Sequence, residues 1–146
     1  MFFGQYRHNV DEKGRLIVPA RFRDVLAAAG AYVMEGFDRN LMVMTTSTFE
    51  RITDKVAQTN LLDPKARKLS RKIFSNAYAV DVDRAGRILL PLNLRPLADL
   101  ETEVIVVGVG DYFELWSPAN WASQVEMLRE LSADNQGFEN LELSAR

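Results

Sequence analysis

The stretch VDEKGRLIVPARFR, from Val10 to Arg23, returns as VDRAGRILLPLNLR, from Val82 to Arg95, displaced by 72 positions without a gap. Val10/Val82, Asp11/Asp83, Gly14/Gly86, Arg15/Arg87, Pro19/Pro91 and Arg23/Arg95 are identical, and Leu16-Ile17-Val18 lies over Ile88-Leu89-Leu90. The same displacement sets AYVMEGFDRNLMVM at 31–44 over EVIVVGVGDYFELW at 103–116, and Phe49 over Trp121. The chain therefore reads as two fused copies of one unit. Stacked arrays generally need at least three repeats, so two copies predict one pseudo-twofold body rather than a solenoid.

Each unit has its own punctuation. GQYRHNV and GRLIVP flank a four-residue connection ending in Gly14, which supplies the positive φ a hairpin turn requires. Pro19 and Pro91 stand where a strand must stop and a helix can start, so PARFRDVLAAAG predicts a short helix closing at Gly30. The second copy, PLNLRPLADL, is interrupted by Pro96. Two apolar strands follow in each copy, AYVMEG with NLMVM and EVIVVG with YFELW. A helix closes each unit: TTSTFERITDKVAQ, with a capping box expected between Ser47 and Glu50, and SPANWASQVEMLREL, capped by Ser117 with Pro118 in its first turn.

One unit of about 70 residues has a marginal core and exposed strand edges. Interlocking two copies cures both, which predicts an α+β fold with a small β-barrel made by both βαββα-type halves. The halves are expected at 1–63 and 64–132, the second preceded by a basic helix, with a flexible acidic tail at 133–146.

The 146 residues are 47% hydrophobic, and no apolar run approaches the roughly 18–20 residues of a membrane span. The N-terminus lacks the charged-then-apolar order of a secretory signal, so a soluble, cytoplasmic protein with no membrane partner is expected. Zero cysteines exclude disulfides, thiolate catalysis and cysteine-held metal, and one histidine cannot form a multi-histidine metal site. With no phosphate-binding P-loop or nucleophile elbow either, neither a cofactor nor an enzymatic activity is expected.

The net charge of −2 conceals an asymmetry: residues 64–95 hold eight Lys/Arg against two Asp/Glu, and residues 96–146 hold two against ten. Local field rather than total charge selects partners. The segment DPKARKLSRKIF predicts a helix starting at Asp63-Pro64, with Lys65, Lys68 and Lys72 in one stripe, Arg67 and Arg71 beside it, and Ala66, Leu69 and Ile73 inward. Its cations suit phosphate attraction, a plain solvated face or a charged contact with the acidic region of a neighbouring subunit.

MFFGQYRHNVDEKGRLIVPARFR, FSNAYAVDVDRAGRILLPLNLR and LETEVIVVGVGDYFELWSPANW together resemble the MraZ family of bacterial transcriptional regulators, over about residues 1–121. The resemblance implies two AbrB/SpoVT-type swapped-hairpin halves. It also implies a nucleoid-associated, ring-like homo-oligomer that binds short direct repeats of promoter DNA upstream of the division and cell wall gene cluster.

The residues themselves supply a chemistry for that role. Lys13 and Arg15 sit on one loop, Arg84 and Arg87 on the other, and arginine's rigid fork suits both phosphates and guanine edges. A two-stranded ribbon fits the major groove of double-stranded DNA, and Gly14 and Gly86 would let backbone amides approach phosphate. A plainer reading is that Asp11–Arg15 and Asp83–Arg87 are ion pairs closing a turn, Asp11 and Asp83 shaping the loops. The two are compatible, since Asp can shape the loop while Arg faces outward. Lys13 aligns with Ala85 and Glu12 with Arg84, so the loops are chemically unequal. Arg7 and His8 read as a solvated strand face, and Trp116 and Trp121 as core or interface anchors. The rival function is a protein-interaction or antitoxin-like module with only secondary DNA binding.

Overall fold

Pro19 holds φ at −50° at the entrance of α1 (Ala20–Ala29), and Gly30, at φ 74°, ends it. Phe22 and Leu26, one turn apart, bury the inner face of that helix. The computed structural model describes residues 1–134 together with Phe138 and Leu141. The first half runs β1 (Gln5–Asn9), β2 (Arg15–Ile17), α1, β3 (Ala31–Glu35), β4 (Leu41–Thr45) and α2 (Thr46–Ala57). After α3 (Pro64–Ser75) the second half repeats this order as β5 (Ala77–Val80), β6 (Arg87–Leu89), a single 3-10 turn at Pro96–Ala98, β7 (Glu103–Gly108), β8 (Tyr112–Trp116) and α4 (Pro118–Asp134). Pro96, lacking an amide donor, accounts for the 3-10 turn where the first half has α1.

The sheet order β1-β7-β8-β4-β3-β5 is its own mirror once the halves are exchanged, so a pseudo-twofold axis passes between β4 and β8. Each half donates its first strand to the other: β1 pairs with β7 and β5 with β3, both antiparallel. That exchange is the interlocking the repeat called for. The chain is α+β, with four helices and antiparallel strands, but the expected small barrel does not close. Among the described residues β1 and β5 remain the two edges of a six-stranded sheet, and β2 and β6 form a separate two-stranded ribbon.

The reason is visible at the turn. The first copy makes one bridge, Val10↔Leu16, and then its strands part, β1 to the sheet edge and β2 to β6. Parting forfeits a few ladder bonds worth about 1 kcal/mol each. It places Leu16, Val18, Ile88 and Leu90, at most 2% exposed, in the main core, where burying each side chain contributes about 1.5–3 kcal/mol.

Alternation sorts the sheet's two faces. Val33, Leu41, Val43, Val104, Val106, Phe113 and Leu115 join the ribbon and α1 in one core. On the reverse face Met34, Met42 and Met44 meet Phe49 and Val56 of α2 and Ile73 of α3, while Ile105, Val107 and Trp116 meet Trp121 of α4. Trp116 and Trp121, centroids 5.5 Å apart, are therefore anchors as expected. Phe2, Phe22 and Phe113 pack mutually at centroid separations of 4.9–5.2 Å and tie the N-terminus, α1 and β8 together.

Three local expectations need correction. The cap of α2 is Thr45, whose hydroxyl accepts from the Thr48 amide, rather than Ser47: β4 runs straight into the helix, leaving Ser47 already inside the first turn. Asp63 does cap α3, but only Ala66 and Ile73 are buried along it, and Leu69 is 36% exposed. The helix meets the sheet along a narrower stripe than its sequence suggests. Ser117 caps α4 through the Asn120 amide. That helix continues to Asp134, past the boundary expected at 132, and most of the expected tail lies outside the described residues.

Candidate nucleic-acid interface

Both Asp-to-Arg loops are closed by the same bonds. In the first, Asp11 N–H donates to the Arg15 carbonyl at 2.9 Å and Gly14 N–H to the Asp11 carbonyl at 3.0 Å. One carboxylate oxygen of Asp11 accepts the Lys13 and Arg15 amides, both at 2.9 Å, and the other accepts Arg15 Nε at 2.8 Å. In the second, Asp83 accepts the Ala85 and Arg87 amides at 2.9 Å and Arg87 Nε at 3.0 Å. Aspartate has the reach for this ring of bonds, and glycine tolerates the φ of 85° at Gly14 and 79° at Gly86. The ion-pair reading of the motif is thus the observed geometry.

The expected offer of glycine amides to phosphate is not what the geometry provides. Gly14 and Gly86 are buried, and their amides are spent inside the turns. Their carbonyls are spent as well, accepting from Leu90 and Val18 N–H at 2.9 Å each. Both residues shape the site, their amides and carbonyls already engaged within the turns and the ribbon.

The arginines keep part of their capacity. Pairing in the ribbon sets Arg15 opposite Leu89 and Ile17 opposite Arg87, with Leu16 and Ile88 beneath. By the alternation of a strand, Arg15, Ile17, Arg87 and Leu89 share the outer face. The side chains of Arg15 and Arg87 are 31% and 28% exposed. Arg87 Nη1 also stands 3.8 Å from Asp11, so one arginine faces the carboxylates of both loops. Among the described residues the terminal nitrogens of Arg15 have no hydrogen-bond partner, leaving that edge of the fork for an acceptor from outside.

Electrostatics keep the cluster ionised. The Arg15 amide is the largest influence on Asp11 and burial, which opposes it, the next; with the Arg15 guanidinium and the Lys13 amide added, the carboxyl is held below the ordinary range. The Arg87 amide and guanidinium and the Ala85 amide do the same for Asp83. Lys13 and Arg84 stand exposed at the loop tips, without ion-pair partners among the described residues. His8 is less open than its strand position suggests: burial, then Arg23, lowers its pKa. Arg7 is exposed and pairs with Glu103.

Arg23 and Arg95, identical in the repeat, escaped the functional reading of the sequence. Arg23 Nε donates to the Val18 carbonyl at 2.8 Å, and its guanidinium lies against Gly86. Arg95 donates to the Glu101 carbonyl at 3.1 Å and lies near Gly14. Their recurrence as the last identity of the phrase was the available signal. Elsewhere the basic helix α3 exposes Lys65, Arg67, Lys68 and Arg71, whereas Lys72 pairs with Glu35 at 3.4 Å. Among the described residues no group of three or more His, Asp or Glu could hold a metal ion, and no helix is long and apolar enough to cross a membrane.

Comparison with known proteins places these loops in a lineage. The family described as "MraZ protein, putative antitoxin-like" matches residues 1–72 and again residues 73–141, one match per half. The transcriptional regulator MraZ of Thermomicrobium roseum is 46% identical over 128 residues, covering 88% of this chain and 89% of the relative. Those of Roseiflexus castenholzii and Finegoldia magna are 42% and 39% identical over 121 residues, each covering 83% of this chain and 84% of the relative. With two family matches spanning nearly all of its length and relatives this similar, the chain belongs to the MraZ family.

Proposed function

We propose that this chain is a transcription regulator that binds double-stranded DNA through its Asp-to-Arg loops and the ribbon between them. The observation that carries the reading is the pair of identically built loops, joined through Arg87 and Asp11, each with an exposed cation at its tip. Lys13 and Arg84 contact phosphate in this reading. Arg15 presents the free edge of its fork, and Arg87 the outer-face side of its guanidinium, to phosphate or guanine, while Asp11, Asp83, Gly14 and Gly86 fix the loops. The names of the relatives support the regulatory role.

The finer part of the proposal follows the family: a ring-like homo-oligomer on short direct repeats upstream of the division and cell wall gene cluster, in the cytoplasm and on the nucleoid. A ribbon with three paired residues per strand binds weakly alone. Several linked copies facing repeated sites raise the effective concentration of each later contact. No enzymatic activity or cofactor belongs to this reading.

A protein-interaction module is favoured by one observation, the exposure of Ile17 and Leu89, 41% and 57%, on the same ribbon face. Retention on immobilised duplex DNA across a salt series separates the two readings. Phosphate binding weakens steeply as salt rises, and Lys13→Ala with Arg84→Ala elutes earlier than wild type. Flow-through of folded wild type at low salt would reject the DNA reading.

A further inference from the structure

We infer that Arg23 and Arg95 are positioning residues that act across the repeat, Arg23 of the first half bracing the loop Asp83–Arg87 of the second, and Arg95 of the second bracing the loop Asp11–Arg15 of the first. The inference rests on the proposal that these loops face DNA.

Its ground is where each guanidinium lies. A Cβ built on Gly86 would fall 2.5 Å from Arg23 Nε and 2.7 Å from its Cδ and Cζ, so the arginine occupies the space a side chain at 86 would need. Arg23 is itself held by its bond to the Val18 carbonyl, and Val18 N–H donates to the Gly86 carbonyl at 2.9 Å. Arg23, Val18 and Gly86 thus form a closed set of contacts joining the start of α1 to the opposite loop.

The second brace is looser. A Cβ on Gly14 would lie 3.6 Å from Arg95 Nη1 and 3.5 Å from the Leu90 carbonyl, which are ordinary contact distances. Arg95 does not repeat the bond of Arg23 either: it donates to the Glu101 carbonyl, and among the described residues its buried Nε has no partner. The helix that carries Arg23 is replaced by the 3-10 turn after Arg95, so the same residue meets a different carbonyl. The loop Asp83–Arg87 is therefore the firmly held member and Asp11–Arg15 the more adaptable one.

Such crossing has a use. Each loop is closed by its own bonds and is also braced by an arginine of the half that carries the other, so docking of the two halves presses both loops into place. The two sets of cations then meet a ligand as one preset surface, and the ordering cost is met in folding rather than on binding.

The test uses the full chain with Arg23→Met and Arg95→Met, which keep an unbranched apolar stem and remove the guanidinium. Hydrogen exchange is followed in both loops. Arg23→Met is expected to speed exchange at 83–87 by about tenfold and leave 11–15 unchanged, and Arg95→Met to do the reverse with a smaller effect. In parallel, duplex DNA is titrated at several salt concentrations. A positioning residue lowers affinity, here by up to about tenfold, without changing the salt slope, whereas loss of a direct phosphate contact reduces the slope by about 1. Faster exchange in the variant's own loop, or in neither, would overturn the inference, as would a reduced salt slope. If Arg23→Met does not fold, Arg23→Lys and the independent Arg95 arm carry the same test. Absence of DNA binding by wild type would reject the functional reading, while the exchange pattern would still decide the crossing.

Discussion

Gly14 and Gly86 stand at equivalent positions of the repeat with φ of 85° and 79°, yet alanine should be tolerated very differently at the two. Both substitutions force a side chain into the left-handed region, costing roughly 1–2 kcal/mol. Both regain about 0.4–1 kcal/mol from a less flexible unfolded chain. These effects cancel in the comparison. At Gly14 the added methyl meets nothing closer than 3.5 Å, whereas at Gly86 it lies 2.5 Å from Arg23 Nε and must displace the guanidinium from Val18. A bond from a charged donor contributes about 1.5–3 kcal/mol. Arg23 is only part-buried, so about 1–2 kcal/mol is the fitting range. For a chain of this size that sets the Tm of Gly86→Ala roughly 2–8 °C below that of Gly14→Ala. Differential scanning calorimetry measures both, and an Arg23→Ala background supplies a control in which the excess cost at Gly86 disappears. Equal losses at the two positions, or an excess that survives removal of Arg23, would refute the packing argument.

Further outcomes can be checked separately. Lys13→Ala and Arg84→Ala, at exposed positions, should each change stability by less than about 0.5 kcal/mol while reducing the salt slope of DNA binding by about 1, read from thermal melts and titrations. Because the carboxyl pKa values of Asp11 and Asp83 are depressed in the fold, their stabilising effect is complete above the ordinary value of 3.8 and is lost as pH falls through the lower folded-state values. Asp11→Asn with Asp83→Asn should flatten the acid limb of the stability profile; an unchanged limb would contradict the cluster. Glu114 behaves oppositely: burial raises its pKa, so its ionised form costs stability as pH rises above 4.5. Glu114→Gln should raise the Tm at pH 7 and lose that advantage near pH 4.

The repeat was legible because identical residues at a fixed displacement can only mean equivalent places in one body. Pro19, Gly30, Asp63 and Ser117 then marked real element ends, since each acts through local backbone geometry or a local cap. Partner choice was less legible. Residues 5–9 and 15–17 read as one hairpin, because nothing local shows that burying Leu16 against the other half outweighs pairing with a neighbour in sequence. For the same reason a closed barrel was expected and an open sheet with a separate ribbon is observed. Within the site, the Asp-to-Arg spacing disclosed the turn, and the residue types disclosed the cations. The burial of Gly14 and Gly86 and the reach of Arg23 across the repeat depend on strands far apart in the chain, which no local pattern reports.

The central claim, that the loop arginines read DNA, is tested most directly by one titration. A labelled duplex from the region upstream of the chain's own gene is compared with a scrambled duplex at two salt concentrations, using wild type and Arg15→Ala. Circular dichroism and sedimentation first establish that fold and assembly are retained. The account predicts selective, salt-sensitive binding by wild type and its loss in Arg15→Ala. Selective binding that Arg15→Ala retains at full strength, or negligible binding of both duplexes by folded wild type, would contradict it.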